Sequence, residues 1–144
     1  MATEFQVTFD CADPARLAEF WSTALGYKMQ DPPAGFASWD EFLTARGVPR
    51  ELWNSRNAVV DPDGVGPRIF FQQVPEPKVV KNRVHLDVNV GGGPAVPLEE
   101  RRSRVDAAAE RLVGAGASVL RTEQEHGEYW VVLQDPEGNE LCLQ

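Results

Sequence analysis

Two short turns of the same chemistry constrain this chain more than anything else in it. Asp61-Pro62-Asp63-Gly64 and Asp135-Pro136-Glu137-Gly138 both read Asp-Pro-acid-Gly. Aspartate, proline and glycine in that order favour a tight reversal, with an Asx bond, a preset φ and a final glycine. What precedes each turn also repeats. Phe5, Val7 and Phe9 alternate with Gln6, Thr8 and Asp10 at the start of the first half. Val84, Leu86, Val88 and Val90 alternate with His85, Asp87 and Asn89 in the second, within Lys81 to Val90. Both stretches have the period of a strand with one apolar face.

A helix follows each strand. Asp13-Pro14 supplies a cap and a first-turn proline, and Leu17, Phe20, Trp21, Ala24 and Leu25 form one stripe ending at Gly26. Val105, Ala108, Ala109, Leu112 and Val113 repeat that spacing before Gly114-Ala115-Gly116. The charged run Glu99 to Arg104 reads as the solvated start of this helix. Three further strands are expected in each half: Tyr27 to Gln30, Ala58 to Val60 and Arg68 to Val74, then Ser118 to Glu123, Tyr129 to Gln134 and Glu140 to Gln144. Aligned landmarks in the same order predict a duplicated strand-helix-three-strand module. The modules span residues 1–77 and 78–144, each helix covering the apolar face of its own four-stranded sheet. An insertion, residues 31–57, interrupts the first. Ser38-Trp39-Asp40-Glu41 has capping-box spacing and predicts a short helix there.

Composition narrows the functions. The chain has 144 residues, 42% apolar, with a formal net charge of −8. It offers no basic stripe for phosphates, so a nucleic-acid partner is not expected. No stretch approaches the roughly 20 apolar residues of a membrane span. The amino terminus lacks a basic and apolar leader, and Cys11 and Cys142 lack motif spacing, so a cytoplasmic protein with reduced thiols is expected.

The candidate site residues lie on the polar strand faces. His85, one of only two histidines, is the candidate acid, base or ligand, with Asp87 to orient it. His126 falls in a polar turn and reads as solvated. Trp39, Trp53 and Trp130 are candidates to wall an apolar ligand, whereas Trp21 belongs to the helix stripe. Lys81 and Arg83 suit either an anionic ligand or surface pairs.

Phe5 to Pro14, Ala24-Leu25-Gly26-Tyr27, Lys81 to Asp87 and Trp130 to Glu140 together resemble the vicinal oxygen chelate superfamily. The likeness is to its glyoxalase-like, bleomycin-resistance-type branch. It implies an α+β fold of two βαβββ modules, the glyoxalase/bleomycin resistance/dihydroxybiphenyl dioxygenase-like fold, forming a curled mixed-sheet cleft. In metal-dependent members the ligands come from the first and last strands of each half. By that pattern the places fall on Gln6, on Phe70 or, two residues on, Gln72, on His85, and on Cys142, with Glu140 on the same strand face as Cys142. The carboxylates expected at two of those places are absent. No metal cofactor is therefore expected. If an ion binds, Gln6, His85 and Glu140 or Cys142 are its implied ligands. The resemblance leaves several functions open: a small-molecule-binding protein, a lyase or isomerase using His85, an antibiotic-sequestering resistance protein, or a regulatory domain. A homodimer is expected, because open sheets leave edges that relatives cover with a second copy.

Overall fold

The computed structural model describes residues 1–144 and builds the duplicated module predicted from the repeat. Its secondary structure runs β1 (Val7–Cys11), α1 (Pro14–Leu25), β2 (Lys28–Met29), α2 (Trp39–Ala45), a 3-10 turn (Arg50–Ser55), β3 (Arg56–Val60) and β4 (Ile69–Gln73). The second module has β5 (Leu86–Val88), α3 (Leu98–Gly114), β6 (Ser118–Glu125), β7 (Glu128–Gln134) and β8 (Glu140–Leu143). The two sheets share one topology. Their strand orders are β1-β4-β3-β2 and β5-β8-β7-β6, each with a parallel outer pair and antiparallel neighbours. Two compact units result, Met1–Ser22 with Gly26–Pro77, and Lys78–Gln144 with Thr23–Leu25. No helix is long and apolar enough to cross a membrane.

In the first module the α1 stripe is the core. Leu17, Phe20, Trp21 and Ala24 are buried, and Trp21 sits 4.9 Å from Phe9 and 5.6 Å from Phe20, ring to ring. Phe9 also stacks on Phe71 at 5.5 Å. Asp13 caps the helix, accepting from Arg16 N–H at 3.3 Å and from the Asn54 amide at 2.8 Å. Those bonds, the Asn54 one foremost, hold its carboxyl below the usual range. Asn54 also accepts from Ala15 N–H at 2.9 Å, which ties the insertion to the helix start. Ser38 caps α2 as its spacing requires, and the Glu41 carboxylate reaches back to Ala37 N–H at 2.8 Å.

The matched turns work by caging backbone donors on an aspartate. Asp61 accepts from Asp63, Val65 and Gly66 N–H groups, which lower its pKa, Gly66 most. Asp135 accepts from Glu137 and Asn139 N–H groups and from the Asn139 side chain. Gly66 also packs closely on Tyr27, since a Cβ there would fall 2.1 Å from the Tyr27 hydroxyl.

Three expectations change. The strand expected over Lys81 to Val90 is only Leu86–Val88. It is an edge strand, and its sole partner β8 has four residues, so the ladder ends after three pairs. Val84 is accordingly exposed, while Leu86, Val88 and Val90 are half-buried. Phe5 lies ahead of β1 and is exposed. Val113 ends the α3 stripe at 47% exposure, whereas Val105, Ala108, Ala109 and Leu112 are buried.

Candidate functional site

The alternation of β5 sets up the site. Leu86 and Val88 pair with Leu141 and Leu143, both fully buried against the α3 side of the sheet. Period two then turns Asp87, and His85 and Asn89 beside it, to the opposite face. Asp87 is in register with Cys142 of β8, so their side chains are neighbours on that face. There a pocket of about 840 Å³ opens, built wholly from residues of the second module. Its wall includes His85, Asp87, Asn89, Trp130, Cys142 and Gln144.

Asp87 is the hub of this face. Its carboxylate lies 3.2 Å from His85 Nε2, with both side chains about half exposed. The Cys142 thiol faces the same carboxylate across the strand pair, and its pKa is raised, first by burial and then by the Asp87 charge. One donor atom from each of His85, Asp87 and Cys142 lies within 4.8 Å of the others. Beyond them Gln144 donates to Asn89 at 2.9 Å. The far wall is fixed by Arg101, which donates to Val96 O at 3.0 Å, Gly127 O at 3.2 Å and Glu128 at 3.2 Å. That bracket joins the loop before α3 to the β6–β7 hairpin. The hairpin turns on His126 and Gly127, both at positive φ. Tyr129 donates its hydroxyl to Asp106, and burial foremost raises its pKa.

The remaining sequence candidates fall into three groups. Trp130 stands half-buried in the pocket wall. Glu140 precedes Cys142 by two residues but is held by Lys81 at 2.6 Å, the main cause of its lowered pKa. Lys81 therefore makes a pair, and Arg83 is exposed. Gln6, Phe70 and Gln72 share one face of the first sheet, whose register aligns Thr8 with Phe70 and Asp10 with Gln72. Gln6 accepts from Arg68 at 3.0 Å, Gln72 donates to Asp10 at 2.7 Å, and the Arg68 guanidinium lies over Phe70 at 5.1 Å. Trp39 and Trp53 give their indole N–H groups to Gln30 O and Val48 O, and both pack within the first module. His126 is exposed in its turn, 3.3 Å from Glu125.

Sequence reasoning missed Arg101, Glu128 and Tyr129 as pocket residues. Their placement depends on how α3 and the hairpin pack, which periodicity does not encode. Gln144 was within reach, since it shares strand parity with Cys142.

A glyoxalase-like domain profile matches residues 6–144. A search of curated proteins finds no match. Several solved structures share the fold. One described as a possible glyoxalase from Bacillus cereus superposes with a TM-score of 0.62 at 15% identity, covering 100% of this chain and 99% of its own. A mutant of the fosfomycin resistance protein FosX from Listeria monocytogenes, complexed with Mn(II) and a dihydroxypropylphosphonic acid, gives 0.61 at 12%, covering 100% and 90%. TioX from Micromonospora sp. ML1 gives 0.55 at 14%, covering 99% and 97%.

The manganese in that FosX complex raises the question of whether this chain suits such an ion. Manganese and magnesium favour oxygen donors, with carboxylates to balance the charge. Here a thiol stands at Cys142, Glu140 is bound to Lys81, and the single carboxylate of the cluster is Asp87. This donor set does not fit an oxygen-preferring ion. The fold and the profile are nevertheless unambiguous about kinship: with the match running from Gln6 to the last residue, the chain belongs to the glyoxalase-like domain family of the vicinal oxygen chelate superfamily.

Proposed function

We propose that the protein binds a small organic molecule in the pocket of its second module, with Trp130 as the flat apolar wall and Asp87 as the principal acceptor. The observation that carries this reading is the convergence of His85, Asp87, Asn89 and Cys142 on one pocket of about 840 Å³. That volume lies in the range of drug-sized ligand sites, which pair apolar walls with a few placed polar groups. Asp87 lies 3.2 Å from the His85 imidazole and in register with Cys142, so the polar groups of the floor are gathered before a ligand arrives. Pre-ordering lowers the entropic cost of binding. The chain's relatives include FosX and TioX by fold, and at their low identity the fold alone is shared.

The test is a thermal-shift screen of the full chain with a library of aromatic fragments. A ligand at 100 times its dissociation constant adds about 2.7 kcal/mol. Hits should stabilise the wild type and lose at least about tenfold in affinity in Trp130→Ala. Hits that bind Trp130→Ala and Asp87→Ala as well as wild type would place binding elsewhere.

We also propose a cytoplasmic homodimer. Both cysteines are outside any disulfide, as a reducing compartment requires. A groove of about 430 Å³ between α3 and β6 is lined by Val113, Val119 and Val131, and the first two are nearly half exposed. The neighbouring edge strand β6 is eight residues long, with Leu120 also exposed. Light scattering at micromolar concentration should give twice the chain mass of 15.9 kDa. A single-chain mass would refute the dimer.

A further inference from the structure

We propose that the pocket of the second module selects a cationic aromatic amine, its ammonium on Asp87 and its ring on Trp130. The inference rests on the reading of that pocket as a ligand site and adds the chemical class of the ligand. Charge on the wall points to it. The wall holds two carboxylates, Asp87 and Glu128, and one guanidinium, Arg101. Arg101 is already engaged by Glu128 at 3.2 Å and by the Val96 and Gly127 carbonyls. Asp87 has no lysine or arginine partner, and its one charged neighbour is the His85 imidazole, at Oδ1. The carboxylate keeps its other oxygen and is about half exposed, so it can accept from a ligand N–H. Other acids on this sheet face are satisfied within the chain: Glu140 pairs with Lys81, and Glu123 with Arg121. Cys142, beside Asp87, stays a neutral thiol, since burial raises its pKa.

Trp130 is the matching half. The rings of Phe42, Trp53, Phe70 and Tyr129 each have an arginine over them at 5.1 Å. Trp130, whose indole offers a cation the strongest face, has none. Register sets the spacing between the two groups. Asp87, Cys142 and Val132 lie in one row across β5, β8 and β7, and Trp130 is two residues from Val132 on the same face. Strand and residue spacings put the Asp87 and Trp130 Cα atoms roughly 12 Å apart, on a diagonal across the sheet. Side chains reaching in from both ends leave room for a bicyclic ring carrying a two-carbon amine. An anion of the same shape would meet two carboxylates and a guanidinium that is already bonded.

The experiment titrates the full chain with three matched indoles at neutral pH and low salt: tryptamine, tryptophol and indole-3-acetate. They share the ring and differ in the end group, which is ammonium, hydroxyl or carboxylate. Tryptamine should bind at least about fivefold more tightly than tryptophol, the scale of a half-exposed ion pair, with indole-3-acetate weakest. The order should flatten in about 1 M salt, where screening acts within roughly 3 Å. Asp87→Asn, folded by circular dichroism, should bring the three to nearly equal affinity, and Trp130→Ala should weaken them all. Equal affinities in the wild type, lost in Trp130→Ala, would overturn the ligand class and leave the pocket reading in place. Indole-3-acetate binding tightest, a tryptamine preference that survives Asp87→Asn, or no tryptamine binding at millimolar concentration would each overturn it as well.

Discussion

Trp21→Ala should lower the stability of the first module by about 3–5 kcal/mol, the range for truncating a buried large aromatic. The indole is fully buried and lies between Phe9 of β1 and Phe20 of its own helix. Its removal takes away the wedge that joins α1 to the sheet and strips Phe9 of its partner on one side. Phe9 still stacks on Phe71, so the strand keeps part of its packing. For a chain of this size the melting temperature should fall by on the order of 10 °C. Val65→Ala, at a residue 88% exposed, should stay within about 0.5 kcal/mol of wild type. A Trp21→Ala loss below about 1 kcal/mol would mean that α1 is held by something other than its stripe.

Asp135→Ala should be nearly as damaging, although it removes no apolar surface. Asp135 is the one buried charged residue, 3% exposed. Its two oxygens accept from Glu137 N–H at 2.9 Å, Asn139 N–H at 3.0 Å and the Asn139 amide at 2.8 Å. Truncation leaves those donors facing an apolar methyl. Donors bonded to a charged acceptor are each worth about 1.5–3 kcal/mol, and neighbouring losses do not add fully. A loss of about 3–4 kcal/mol by denaturant melting is expected. The turn also joins β7 to β8, whose register pairs Val132 with Cys142. Asp61→Ala, in the matching but more exposed turn, should lose clearly less. Equal losses at both positions would show that burial does not distinguish the two cages.

The duplication was legible because its signals are local. A capped amphipathic stripe, a capping box and an Asp-Pro-acid-Gly turn each fix a few residues through neighbours within about one helical turn. Elements that depend on a partner's length were not legible. β5 is short because β8 is short, and nothing within Lys81 to Val90 reports that. Val113 has the right spacing for the core, yet α3 contributes little against β6, so its last turn stays open to solvent. The site divides the same way. His85 and Asp87 are close because they are two apart on a strand, which the alternation shows directly. Cys142 joins them only through cross-strand register. Arg101 and Glu128 enter the wall through tertiary bonds that no spacing encodes.

The most direct test of the pocket is an amide and indole chemical-shift map of the isotope-labelled protein against fragments that stabilise it. Binding as proposed shifts His85, Asp87, Asn89, the Trp130 indole, Cys142 and Gln144 together. Fragments that leave these resonances unmoved, or that shift only the Gln6, Phe70 and Gln72 face of the first sheet, would contradict a ligand site in the second module.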